Sequence, residues 1–168
     1  MKNLFVHLCS LLVLALALNS CIEGDDDIAR IPDTKYEPIL MKRSDLEKSV
    51  SLMPPQPLQN TGKIYVKDNF IFVNERYRGV HVIDNTDPKN PENKGFIRVP
   101  GNIDLAVKGN FIYVDNAVDM VTLRWFGDSL KVTDRVKEVF PAFEPPDGGF
   151  YQFAERPENT VIVKWEEK

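Results

Sequence analysis

Chemistry has few places to start in this chain. Its 168 residues include two cysteines and two histidines. Cys9 and His7 lie within Leu4 to Leu18, an uncharged run rich in Leu and Ala, and are expected to carry no function. Cys21 is then the lone thiol and His81 the lone imidazole. One imidazole makes no metal pair, and neither a Gly-x-Ser-x-Gly elbow nor a glycine-rich phosphate loop is present. His81 alternates with Val80 and Val82. On a strand it therefore points to the opposite face, as an exposed or hydrogen-bonded surface residue. Carboxylate pairs are numerous, but an acidic surface supplies them without catalysis. The expectation is a protein that is not an enzyme and needs no cofactor or metal, with an exported hydrolase as the lesser alternative.

Aromatic residues are better candidates for binding. Tyr77 sits in the polar stretch Glu75-Arg76-Tyr77-Arg78, Trp125-Phe126 adjoins a turn, and Phe150-Tyr151-Gln152-Phe153 follows Gly148-Gly149. Aromatic rings beside polar groups stack on sugars or anchor protein contacts. Tyr77, Trp125 and Tyr151 are the candidate ligand-binding residues. Filling a core is the competing role, strongest for Trp125, Phe126 and the 150–153 cluster.

The start of the chain accounts for Cys21. Met1-Lys2-Asn3 carries one positive charge ahead of the apolar run. Fifteen residues at ~1.5 Å each fall short of the ~30 Å hydrocarbon core, as a signal peptide does. The run ends in Leu18-Asn19-Ser20-Cys21, which resembles the lipobox of bacterial lipoproteins. That resemblance implies cleavage after residue 20 and lipid on the Cys21 sulfur. Two or three acyl chains, at ~0.8 kcal/mol per methylene, hold a protein on a membrane without a spanning helix. With Cys21 lipidated, no disulfide or thiolate site is expected.

The whole chain carries a net charge of −4, which argues against nucleic-acid binding. Residues 21–60 read as an acidic, proline-rich tether. Glu23-Gly24-Asp25-Asp26-Asp27 follows the cysteine, and Pro32, Pro38, Pro54, Pro55 and Pro57 interrupt any long helix. The acidic run resembles a surface-display signal of some Gram-negative lipoproteins; an ordinary solvated linker and a weak cation site are the other readings. Ser44-Asp45-Leu46-Glu47 has capping-box spacing and suggests a short helical turn.

Beyond residue 61 the period becomes two. Ile64, Val66, Phe70, Phe72, Val80, Val82 and Ile97 alternate with polar neighbours, and Gly and Asx-Pro turns punctuate the runs. Val66 to Asn74 matches Val107 to Asp115 at an offset of 41 residues, which also relates Ile64 to Leu105, Val80 to Val121 and Val82 to Leu123. A period of ~40–45 residues with several strands is that of a propeller blade.

Gly79-Val80-His81-Val82-Ile83-Asp84-Asn85-Thr86-Asp87-Pro88-Lys89-Asn90-Pro91 resembles the LVIVD repeat, with Phe70 to Val73 as its preceding strand; the likeness covers about residues 38–125. It implies a β-propeller-like array in a cell-surface lipoprotein. Asp84 is suited to accept backbone N–H bonds in the following turn, and Pro88 and Pro91 deny ladder donors. The second copy replaces this segment with a Gly127-Asp128 turn. A closed propeller needs at least four blades, or ~160 residues, so the chain is expected to be a shortened member of longer relatives, the other readings being that it oligomerises or that the tether packs on the open face. The expected fold is therefore all-β, with propeller-blade-like repeats at about 62–101 and 102–140 and a partial third at 141–168, an incomplete β-propeller within a 61–168 domain. The expected protein is an interaction or scaffold module on the outer membrane, held by lipid on Cys21 and displayed at the cell surface. A glycan- or other ligand-binding lipoprotein is the alternative. Its partners would be the membrane, a protein or glycan, and a second copy if the array is open.

Overall fold

The computed structural model describes residues 32–168, which form one compact, all-β unit. The leader over residues 1–20, Cys21 and the acidic run lie outside the described residues. Among those described, no helix is long and apolar enough to cross a membrane.

The period-two segments are strands. β3 (Thr61–Lys67), β4 (Phe70–Glu75), β5 (Gly79–Asp84) and β6 (Glu92–Arg98) form an antiparallel meander, and β2 (Ser51–Met53) adds to its outer edge. A second meander follows in β7 (Leu105–Lys108), β8 (Phe111–Asn116), β9 (Asp119–Trp125) and β10 (Leu130–Val136). β4 and β8 lie 41 residues apart, as the repeat predicts. The turns obey their residue types. Asp84 accepts the Thr86 N–H at 2.9 Å, Asp87 accepts the Lys89 N–H at 3.0 Å, and the chain leaves the sheet between Asp84 and Glu92.

The two sheets enclose the main core. Phe72, Val80, Val82 and Ile97 meet Leu105, Val107, Ile112, Val114, Val121 and Leu123. Burying each such side chain contributes ~1.5–3 kcal/mol against the entropy of ordering the chain. The inner strands β3 and β7 approach side by side, where the Tyr65 hydroxyl donates to the Val107 carbonyl at 3.0 Å.

Three expectations are corrected here. Residues 32–60 are not a solvated tether. β1 (Tyr36–Lys42) is a strand, Leu46 is fully buried, and β2 extends the first sheet. Apolar spacing at Ile39, Met41 and Leu46 outweighed the proline content. The helical turn exists as α1 (Arg43–Leu46), but without a side-chain cap: its N-cap is Lys42, so no capping box forms. Residues 141–168 do not build a third sheet of their own. Their one strand, β11 (Thr160–Glu167), pairs antiparallel with β1, so the two ends of the described chain share a sheet. β1 and β11 close over a second core of Leu46, Ala117, Val161 and Val163.

Candidate binding cleft at Tyr77

The β4–β5 hairpin turns through Arg76, Tyr77 and Arg78. Tyr77 is left-handed, with φ +62°. Such a backbone costs a side-chain-bearing residue ~1–2 kcal/mol and is held only when its surroundings over-determine it. They do so here. The Tyr77 N–H donates to the Asn102 carbonyl at 2.6 Å, its carbonyl accepts the Gly101 N–H at 3.0 Å, and Val99 N–H donates to the Arg78 carbonyl at 2.8 Å. Gly101 makes this approach feasible: at φ +76° a Cβ there would meet the Ala117 backbone at 2.8 Å. Below the junction, Asn102 accepts from the Asn74 side chain and donates to the Asp104 carbonyl and to Asp115, all in buried or half-buried surroundings.

A cleft of about 270 Å³ opens beside the clamped hairpin. Tyr77, Phe96 and Pro100 supply flat apolar walls, with Met41 from β1 and Met53 from β2. Arg78, Arg98 and Gln56 are its polar members, and among the described residues no acidic one lines it. The Arg78 guanidinium lies 5.8 Å over the Phe96 ring, and its Nη1 donates to Gln59 Oε1 at 2.9 Å. Arg98 is exposed and makes only a long 3.4 Å contact to the Ser49 carbonyl. Among the described residues it has no carboxylate partner.

Behind the cleft lies a sealed polar pair. His81 does point away from Val80 and Val82, but it is fully buried rather than at the surface. The chain from β2 to β3 covers this face, and Phe96 packs against the imidazole at 4.8 Å. His81 Nε2 lies 3.1 Å from Glu75 Oε2. Glu75 also accepts the Gln59 and Asn60 N–H groups. Burial alone would raise the Glu75 carboxyl, but these N–H donors and His81 outweigh it and hold it below the usual carboxylate range. Glu75 is therefore an acceptor only, and His81 donates through Nε2, leaving Nδ1 without a partner. With both side chains at 0% exposure, this pair reaches no substrate; it ties the covering loop to the sheet.

The other candidates stand elsewhere. Trp125 lines a separate cavity of about 280 Å³ with Phe70, Phe72 and Ile112, between the turn ends of the two sheets. The indole packs against the main core, and its Nε1 is buried without a hydrogen-bond partner. Phe126 is 51% exposed under Arg124. Tyr151 packs edge-on against Trp165 at 5.0 Å. Trp165 Nε1 donates to the Phe143 carbonyl, and the Phe143 ring meets Tyr77 edge-on at 5.6 Å. Tyr151 lines none of the Tyr77 cleft and is connected to it through Trp165 and Phe143. Sequence reasoning missed Phe96, Arg98, Met41 and Met53, which only the sheet order brings together. The flanking arginines of Tyr77 were the available signal.

Among the described residues, no group of three His, Cys, Asp or Glu side chains is arranged to hold a metal ion. No known family matches the chain, and no curated protein or solved structure matches it either.

Proposed function

We propose that this chain is a bacterial outer-membrane lipoprotein, anchored through lipid on Cys21, whose two propeller-type blades of LVIVD-like repeats act as an interaction module rather than an enzyme. The observation that carries this reading is the uncovered side of β3: Ile64 is 66% and Val66 63% exposed. β3 is also an edge strand, bonded to β4 alone. Its free edge faces β7, so the exposed face carrying Ile64 and Val66 is what favours a further protein surface. A photo-crosslinker at position 64 of the full lipidated chain in living cells should give discrete protein adducts, to a second copy or another envelope protein. The same group at Lys131, on the opposite edge of the array, should give none. No adduct at 64, or equal labelling at both, would sink the interaction reading. The anchor is tested separately: Cys21→Ala should abolish lipid labelling and release the protein from membranes, and unchanged retention would overturn it.

A second reading, a ligand-binding surface lipoprotein, is favoured by one feature. A strained tyrosine is held beside two arginines at a cleft. Strain retained at an accessible site costs stability that a glycine there would recover, which points to a use for the ring. Among the three aromatic candidates, Tyr77 is the one this reading keeps. Trp125 lies in a separate cavity, and Tyr151 lines none of the cleft.

A further inference from the structure

We infer that the Tyr77 cleft binds a small organic carboxylate with a flat apolar body of about one ring. This inference rests on the ligand-binding reading of that cleft and gives the ligand a chemical class.

Three observations converge. The first is charge. Among the described residues the cleft holds two guanidinium groups and no carboxylate, although the chain as a whole is acidic. The nearest carboxyl to Arg78 is Glu75, 3.8 Å from Nη1, and it is already saturated by two backbone N–H groups and His81. Its charge is committed inward, so the outer edge of Arg78 and the fork of Arg98 remain for an incoming anion. A planar guanidinium pairs edge to edge with a planar carboxylate, which makes the charge-assisted bonds the strong ones.

The second is shape. The half-buried Tyr77 ring is the main flat surface, since Phe96 and Pro100 line the cleft but are themselves buried, and Met41 and Met53 are adaptable thioether walls. A volume of about 270 Å³ lies just below the usual range of ligand pockets, room for one ring and its acid group and little more. Gln56 is the remaining polar member, and its Nε2 is occupied by the Pro54 carbonyl. The two arginines only donate, so Gln56 Oε1 and the Tyr77 hydroxyl are the side-chain acceptors left for the many hydroxyls of a neutral sugar.

The third is rigidity. Tyr77 is locked by backbone bonds on both sides, and Arg78 is braced by Gln59 and the Phe96 ring. A preformed site loses little freedom on binding.

The test uses the full lipidated chain in detergent, titrated with phenylacetate, phenylacetamide, acetate and phenyl phosphate and followed by calorimetry. Phenylacetate should bind saturably in the millimolar range or tighter. Phenylacetamide, without the charge, and acetate, without the ring, should each bind at least tenfold more weakly. Arg98→Gln and Arg78→Gln should each weaken phenylacetate about tenfold. Tyr77→Gly should abolish binding and lower the thermal midpoint only modestly, because the left-handed backbone that glycine accepts offsets part of the packing lost against Phe143. Phenylacetamide binding as well as phenylacetate, or phenyl phosphate binding more tightly, would overturn the carboxylate class; loss of that binding in Tyr77→Gly would keep the cleft as a site. Saturable binding by none of the four would overturn both the class and the ligand-binding reading.

Discussion

Ile64 and Leu105 hold the same place in the 41-residue repeat, and the fold puts them on opposite sides: Ile64 is 66% exposed, Leu105 7%. The cause is one residue in a hairpin. In the first sheet Glu75 pairs with Gly79, leaving three turn residues; in the second Asn116 pairs with Asp119, leaving two. Ile64 therefore aligns through Val73 with His81, whereas Leu105 aligns through Val114 with Val121. A one-residue change of register sends every side chain of the strand to the other face. The motif Phe-Ile-x-Val is shared, but its Ile and Val face the inter-sheet core in one copy only.

That difference is measurable as stability. The double variant Ile64→Thr/Val66→Thr should stay within ~0.5 kcal/mol of the parent, since both side chains lie largely in solvent. Leu105→Ala should cost about 2–5 kcal/mol, since it empties part of the inter-sheet core. Denaturant unfolding of the three proteins decides it. Comparable losses at both sites would mean that the first sheet is covered where the register leaves it bare.

Asp119 makes stability depend on pH. Its fully buried carboxylate accepts from Arg43 at 2.8 Å and Arg135 at 2.7 Å, and from the Glu138 N–H at 3.1 Å. Burial alone would raise this carboxyl; the Glu138 N–H, Arg135 and Arg43 outweigh it and hold it below the usual carboxylate range. A carboxyl depressed on folding contributes stability that is present above its unfolded value, about 3.9, and is lost as pH falls through the folded value. Asp119→Asn should therefore cost about 3 kcal/mol at neutral pH. The gap between variant and parent should close as the pH is lowered below ~4. A gap constant with pH would show that the loss is one of packing and not of charge.

Glu75 holds the covering loop rather than the sheet. In Glu75→Gln the volume is kept, but an NH₂ replaces one acceptor opposite the Gln59 N–H, the Asn60 N–H and His81. An unmatched buried polar group costs about 1–3 kcal/mol, and the cost falls where the contact is weakest. Hydrogen exchange at the Gln59 and Asn60 amides should accelerate by at least tenfold, with the amides shared by β4 and β5 unchanged. Uniform acceleration across β4 and β5 would place Glu75 in the global core instead.

Much of this was legible in the sequence and some was not, for identifiable reasons. The period-two runs, the Asp84 and Asp87 turns and the Gly127 hairpin are local, and each formed where its residues direct. β1 was missed because Pro38 and the acidic surroundings mask a short apolar alternation. Its partner, β11, lies more than a hundred residues away, so no local pattern announces the pair. His81 was placed on the correct face, but what covers that face comes from another stretch of chain. The cleft has the same origin: Tyr77 and Arg78 are adjacent, whereas Met41, Met53, Phe96 and Arg98 reach them only through strand order.

Trp165 joins the β1–β11 sheet to the candidate site. Its ring is 4% exposed, it meets Tyr151 edge-on, and its Nε1 holds the Phe143 carbonyl. Phe143 in turn backs Tyr77. Trp165→Phe keeps most of the buried apolar area and removes the N–H, so about 1 kcal/mol should be lost. Trp165→Ala should cost about 3–5 kcal/mol, since it leaves a cavity between β11 and the Tyr151 ring. The milder variant is the informative one. With Phe143 released and the sheets intact, the Tyr77 ring should shift and broaden in NMR spectra, whereas Trp125, in its separate cavity, should not. If Trp165→Phe leaves the Tyr77 resonances untouched, the backbone bonds to Gly101 and Asn102 position that ring by themselves, and the aromatic chain from Tyr151 is packing alone.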